Sequence, residues 1–274
     1  MARSCPAGFD GERLREQVRV TYERVAEAPH GEFHFHRGAV YAASVLGYDA
    51  GELARLPHKA TARFAGVGNP LAIGPVAAGE TVLDHACGSG TDLLLAARRV
   101  GPGGQAIGVD MTPGMRRAAV QAAEEAGLSQ IVEVRAGVYE ALPIADASVD
   151  VVISNGVVHL APDKDAVFAE VRRVLRPGGR LLLADVVLAR ELPLATRSNP
   201  DRWAGCVAGA LTEPELLALT AELGFRHGRI TARFDAFRGT SAAARLPDLI
   251  RTVNFYAEKG TDQTYQLLPP GPTS

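Results

Sequence analysis

From Thr81 to Leu188 the chain alternates short runs of Val, Ile and Leu with longer stretches in which apolar residues recur every three or four positions. The short runs are TVLDH (81–85), QAIGVD (105–110), IVEVRAG (131–137), SVDVVISN (148–155) and RLLLADVVL (180–188). They lack strict alternation, which predicts strands covered on both faces. Helices are predicted over 91–100, 113–127 and 163–175, with the RPGG of 176–179 closing the last in a turn. Such alternation builds a parallel sheet with helices on both sides, so the expected class is α/β and doubly wound. A helix over 213–223 and strands in 225–234 and 251–258 complete the fold. Before the first strand, Arg13–Ala26 has a helical period, and short helices are expected in 37–47 and 49–56. The expected organisation is an N-terminal tail and helical cap (1–75), a main domain (76–260) with an insertion near 190–210, and a polar tail (261–274).

Charge narrows the partners. Twenty-nine Lys and Arg against 31 Asp and Glu give a net charge of −2, and no stretch concentrates the cations, which argues against nucleic acid. No apolar run is long enough to span a membrane and no signal-peptide core opens the chain, so a cytoplasmic location and no membrane partner are expected. A homodimer stays open. The three cysteines, Cys5, Cys87 and Cys206, are spaced for neither a disulfide framework nor a zinc site.

The chemistry concentrates in VLDHACGSG (82–90) and IGVDMT (107–112). Glycines after a strand let the backbone turn sharply and approach a ligand, and Thr91 is placed to cap the following helix. Asp110, at the end of the second strand, is placed to accept hydrogen bonds from the vicinal hydroxyls of a ribose. Counting from Gly88, the third position of a dinucleotide motif is Leu93, and Asp92 brings negative charge into the first helical turn, where a pyrophosphate would lie. A nucleoside without phosphates fits better. Asp84, Ala86, Gly88 and Gly90 resemble the D/E-x-G-x-G-x-G loop of class I S-adenosylmethionine (SAM) methyltransferases, with alanine for the first glycine.

That resemblance implies SAM as cofactor, a seven-stranded Rossmann-like sheet and a small-molecule acceptor. Asp84 to Gly90, Cys87 included, would form the cofactor loop. Met111 and Val138 would sandwich the adenine with Tyr139 beside it, and Asn155 and Gly156 would border the reacting methyl. An acidic acceptor would need a base, for which His159, His34 and His36 are candidates. Tyr22 is a further candidate, covering the cofactor. Phe33 and Phe35 in PHGEFHFHRG (29–38), with Trp203 and Cys206, would line the acceptor pocket. No metal site is expected, because the histidines of 30–36 lack a marked distal partner.

GVGNP (66–70), GVDMT (108–112), SVDVVISNGVVHLAPDK (148–164), RVLRPGGRLLLADVVLARELP (173–193) and WAGCVAGAL (203–211) together resemble the arsenite SAM methyltransferase family, over roughly residues 60–225. The family holds trivalent arsenic on cysteine thiolates in a GCGNP-like loop, an SNC segment and a WxxC segment. Here those positions are Val67, Gly156 and Cys206, so one thiol of three remains. Valine and glycine supply no soft ligand. The resemblance with this departure implies a SAM methyltransferase acting on an organic small molecule such as a natural product. Alternatives are an arsenite methylase and a SAM-binding scaffold or cyclase without methyl transfer.

Overall fold

The computed structural model describes residues 9–193, 208–240 and 249–261. Four helices open the chain: α1 (Gly11–Glu27), α2 (Ala39–Leu46), α3 (Ala50–Ala54) and α4 (His58–Thr61). The sheet domain follows as β1 (Thr81–His85), α5 (Thr91–Val100), β2 (Gln105–Asp110), α6 (Pro113–Glu125), β3 (Val132–Ala136), β4 (Val149–Asn155), α7 (Lys164–Val174), β5 (Leu175–Leu188), β6 (Leu211–Thr212), α8 (Glu213–Glu222), β7 (Phe225–Phe234) and β8 (Ile250–Lys259). Helix α4 was not anticipated. A four-residue helix is too short to show a period.

The strands lie in the order β3-β2-β1-β4-β5-β8-β7, with the two-residue β6 beside β5. Strands β1 to β5 pair in parallel, and β8 runs antiparallel to both β5 and β7. The mostly parallel, doubly wound α/β sheet expected from the sequence is therefore present. Both faces are covered, as the apolar runs required. Val82, Val151, Ile153, Leu182 and Val186 join one buried cluster, while Leu83, Val152, Leu181, Leu183 and Val187 join the other. Leu14, Val18 and Val25 of α1 belong to the first cluster, so the N-terminal helices share a core with the sheet.

Local chemistry sets the ends of elements. The Asp10 carboxylate accepts from Arg13 N (2.9 Å) at the start of α1, and Thr212 and Glu215 form a reciprocal capping box on α8. Two details differ from expectation. The RPGG run falls inside the bounds of β5, where pairing slips from Val149↔Leu175 to Val151↔Arg180; the intervening residues are absorbed as a bulge. Thr91 is the first residue of α5 and not its cap: left-handed Gly90 takes the cap position, and the Thr91 hydroxyl donates to Ala60 O (3.2 Å).

Chain order reverses between β1 and β4, and the crevice at a reversal lies at the carboxyl ends of the strands. Among the described residues no helix is long and apolar enough to cross a membrane.

Candidate active site

The loop after β1 owes its shape to alternate left-handed residues. Ala86, Gly88 and Gly90 have φ of 63°, 52° and 90°. A side chain is strained in this region, so the x-G-x-G pattern follows from the backbone. Gly88 faces open space, whereas a Cβ on Gly90 would stand 3.2 Å from Ala119 Cβ of α6. Gly88 thus serves the crevice and Gly90 the packing of two helices. The loop is tied to β2 by Cys87 N donating to Val109 O (2.9 Å) and Gly88 N donating to Asp110 Oδ2 (2.9 Å). On the other side, Ser89 Oγ donates to Ala60 O of α4 (2.8 Å).

These elements enclose a cavity of about 840 Å³, counting its open mouth. Its wall includes Asp84, Ala86, Cys87, Gly88, Asp110, Met111, Tyr139, Asn155, Gly156 and Tyr22, which the sequence had marked separately. Two of the residues expected in the cofactor site stand back from it. Gly90 faces Ala119, and Val138 bridges to Ala141 in the turn after β3. The wall also contains residues the sequence reading passed over, among them Val18, Arg63, Met115, Val157 and Leu160. They come from helices and turns, where nothing in the local pattern separates a cavity wall from ordinary core.

The cavity is acidic. Asp84, Asp92 and Asp110 are 3 %, 6 % and 7 % exposed, and all three border it. Asp92 is held by the Tyr48 hydroxyl (2.7 Å) and by Asn155 Nδ2 (3.0 Å). Asp110 Oδ1 accepts from Thr112 N (2.8 Å). Asp84 Oδ2 is buried with no hydrogen-bond partner among the described residues. Burial, reinforced by Asp92 and Asp110, holds the Asp84 carboxyl well above the usual carboxylate range. A buried carboxylate of this kind calls for a cationic or hydrogen-donating ligand. Cys87 is a poor nucleophile, because burial raises its thiol well above the ordinary value.

Asn155 joins the end of β4 to the segment before β1. Its Oδ1 accepts from Val67 N (2.8 Å) and Gly68 N (3.3 Å), and its Nδ2 lies 3.0 Å from Gly68 O. This clamp brings Gly156 (φ 75°) against Val67.

The proposed histidine bases lie elsewhere. His159 is 2 % exposed, points its Nδ1 at Asp185 Oδ1 (2.5 Å) and borders a separate small cavity with Lys164 and Leu183. Its neighbours Val157 and Leu160 face the main cavity instead. His36 Nε2 lies 2.8 Å from Arg238 O, and the His34 ring meets the edge of Phe35. Phe33 and Phe35 are likewise off the main cavity wall. They stack on each other and, through Phe35, on Tyr22, with the Arg37 guanidinium 4.2 Å above Phe33. The FHFH segment therefore backs the wall that Tyr22 presents. Trp203 and Cys206 lie outside the described residues.

The donor set fits SAM. The Asp110 carboxylate stands beside the glycine turn, apolar Met111 adjoins it, and the acidic wall complements a cationic ligand that carries no phosphate.

Comparison with known proteins agrees. The methyltransferase-domain family matches residues 77–232. An arsenite methyltransferase of Halobacterium salinarum is 48% identical over 180 residues, 66% of this chain and 46% of that protein. The nocamycin O-methyltransferase of Saccharothrix syringae is 34% identical over 199 residues, 70% of this chain and 65% of its own length. CrArsM, an arsenic (III) S-adenosylmethionine methyltransferase from Chlamydomonas reinhardtii, superposes with a TM-score of 0.68 at 32% identity, covering 83% of this chain and 75% of that one. The chain spans about half the length of the first arsenite methyltransferases it matches. From fold, cavity and these similarities together, the chain belongs to the class I S-adenosylmethionine-dependent methyltransferases and resembles, within them, the arsenite methyltransferases.

Proposed function

We propose that this chain methylates a small organic acceptor and does not hold arsenic on a set of protein thiolates. The observation that carries the reading is the juxtaposition of Val67 and Gly156, where a Cβ built on the glycine would meet the valine side chain, at the positions where the resembling family has two cysteines. Bound SAM supplies an electrophilic methyl group on a sulfonium together with its own leaving group. The chain's task is then binding, alignment and exclusion of water. Asp110 would accept hydrogen bonds from the ribose hydroxyls, Met111 and Tyr139 would flank the adenine, and Asp84 would face the amino-acid end of the cofactor. Asn155 fixes the Val67–Gly68 backbone behind the wall, and Gly66, Gly156, Val157 and Leu160 would form the acceptor side. None of the histidines expected as bases borders the cavity among the described residues.

A second reading, arsenite methylation, is favoured by the 48% identity to the Halobacterium protein. It requires thiols from outside the described residues or from a small-molecule thiol. Incubation with SAM, arsenite and glutathione, followed by mass spectrometry of arsenic species, separates the two. The organic-acceptor reading predicts no methylated arsenic above the enzyme-free control; rapid methylarsenic formation would overturn it.

A further inference from the structure

We infer that Arg63 forms a carboxylate-binding subsite in the main cavity, an inference that rests on the SAM reading for one of its two ligands. Arg63 is the one cationic side chain on the wall among the described residues, against the carboxylates of Asp84, Asp92 and Asp110. Its guanidinium is positioned by neutral groups: Nε donates to Ala26 O (2.7 Å) and Nη1 to Lys59 O (2.9 Å). These bonds fix its plane without neutralising its charge. One N–H of Nη1 and both of Nη2 remain, a planar fork that matches a carboxylate.

Its place in the fold narrows the ligand. Ala60, three residues earlier, accepts the Ser89 and Thr91 hydroxyls, which clamps α4 to the cofactor loop. Phe64, Ala65 and Gly66 then continue the wall, and the Asn155 side chain packs against Gly66. Arg63 therefore lies between the cofactor loop and the end of β4. A carboxylate reaches this point from the amino-acid end of the cofactor or from an acidic acceptor. Either ligand offsets the one cation that the described residues place on an otherwise acidic wall.

Arg63→Met and Arg63→Lys test the inference by calorimetry, with S-adenosylhomocysteine and with 5′-methylthioadenosine, which shares the nucleoside but lacks the amino-acid carboxylate. If the cofactor is the source, Arg63→Met weakens S-adenosylhomocysteine about tenfold or more and leaves methylthioadenosine unchanged, with Arg63→Lys in between. If the acceptor is the source, benzoate binds the S-adenosylhomocysteine-saturated wild type and not the saturated Arg63→Met protein. The inference is overturned if Arg63→Met alters the binding of neither S-adenosylhomocysteine nor benzoate, or if it weakens both nucleosides equally, which would indicate damage to the loop. A wild type that bound benzoate through Arg63 and neither nucleoside would sink the cofactor reading and leave the carboxylate subsite standing.

Discussion

A Cβ built on Gly156 would lie 3.5 Å from Val67 Cγ1, in ordinary contact across the segments that follow β4 and precede β1. The two positions that matched thiolates in the sequence comparison are thus neighbours in space, and both carry apolar residues. Pairing Val67→Cys with Gly156→Cys therefore rebuilds two soft ligands side by side. The left-handed backbone at residue 156 costs a side chain about 1–2 kcal/mol, tolerable in a folded domain. The double variant is expected to retain arsenite through gel filtration at a stoichiometry the wild type does not approach. Equal retention by the wild type would show that the missing thiols do not matter.

Asp84 couples stability to pH. Its folded-state carboxyl is raised by burial and by Asp92 and Asp110, so its favourable contribution is complete below the ordinary carboxylate value and is lost as pH rises through the raised folded value. Asp84→Asn should therefore melt higher than the wild type, without ligand, at pH 7–8, and the gain should shrink as pH falls towards the ordinary carboxylate range. The same variant should bind S-adenosylhomocysteine more weakly. A ligand-free variant less stable than the wild type at neutral pH would contradict this account of the cavity.

His159 tests whether a side chain off the main cavity takes part in the reaction. Asparagine keeps a donor near the position of Nδ1, so His159→Asn preserves the link to Asp185, which also accepts from Val158 N (2.6 Å). The expected result is a kcat within a few-fold of wild type and an unchanged pH profile. Loss of a general base would instead cost about 100-fold or more.

Much of this was legible in the chain, and the part that was not has a physical cause. The strands and the Asp84–Gly90 loop announce themselves, because apolar runs and left-handed glycines are local properties. Asp110 could be located because it ends a strand. The roles of His159, His34 and His36 could not be read this way. Each is a polar residue near the right element, but which way a ring turns depends on partners such as Asp185 and Arg238 that are remote in sequence. Arg63 escaped for the same reason: its importance comes from Ala26 O and Lys59 O and from the acids opposite it.

Ala86 stands in the family's first glycine position with φ 63°. Restoring glycine removes about 1–2 kcal/mol of strain and adds about 0.5–1 kcal/mol of unfolded-chain entropy, a small net stabilisation. Ala86→Gly should raise the melting temperature by about 1–3 °C. A clear fall would mean that the alanine methyl packs more favourably than its backbone strain costs.

The central claim is that the cavity beside Asp110 binds SAM. Calorimetric titration with S-adenosylhomocysteine tests it most directly, comparing the wild type with Asp110→Ala. The carboxylate accepts from Gly88 N and Thr112 N and retains capacity for the ribose, so its removal should weaken binding about tenfold to a hundredfold while the fold persists. Saturable binding by the wild type and that loss in the variant are the expected result; a wild type that binds no S-adenosylhomocysteine, or an Asp110→Ala protein that binds it equally well, would contradict the account.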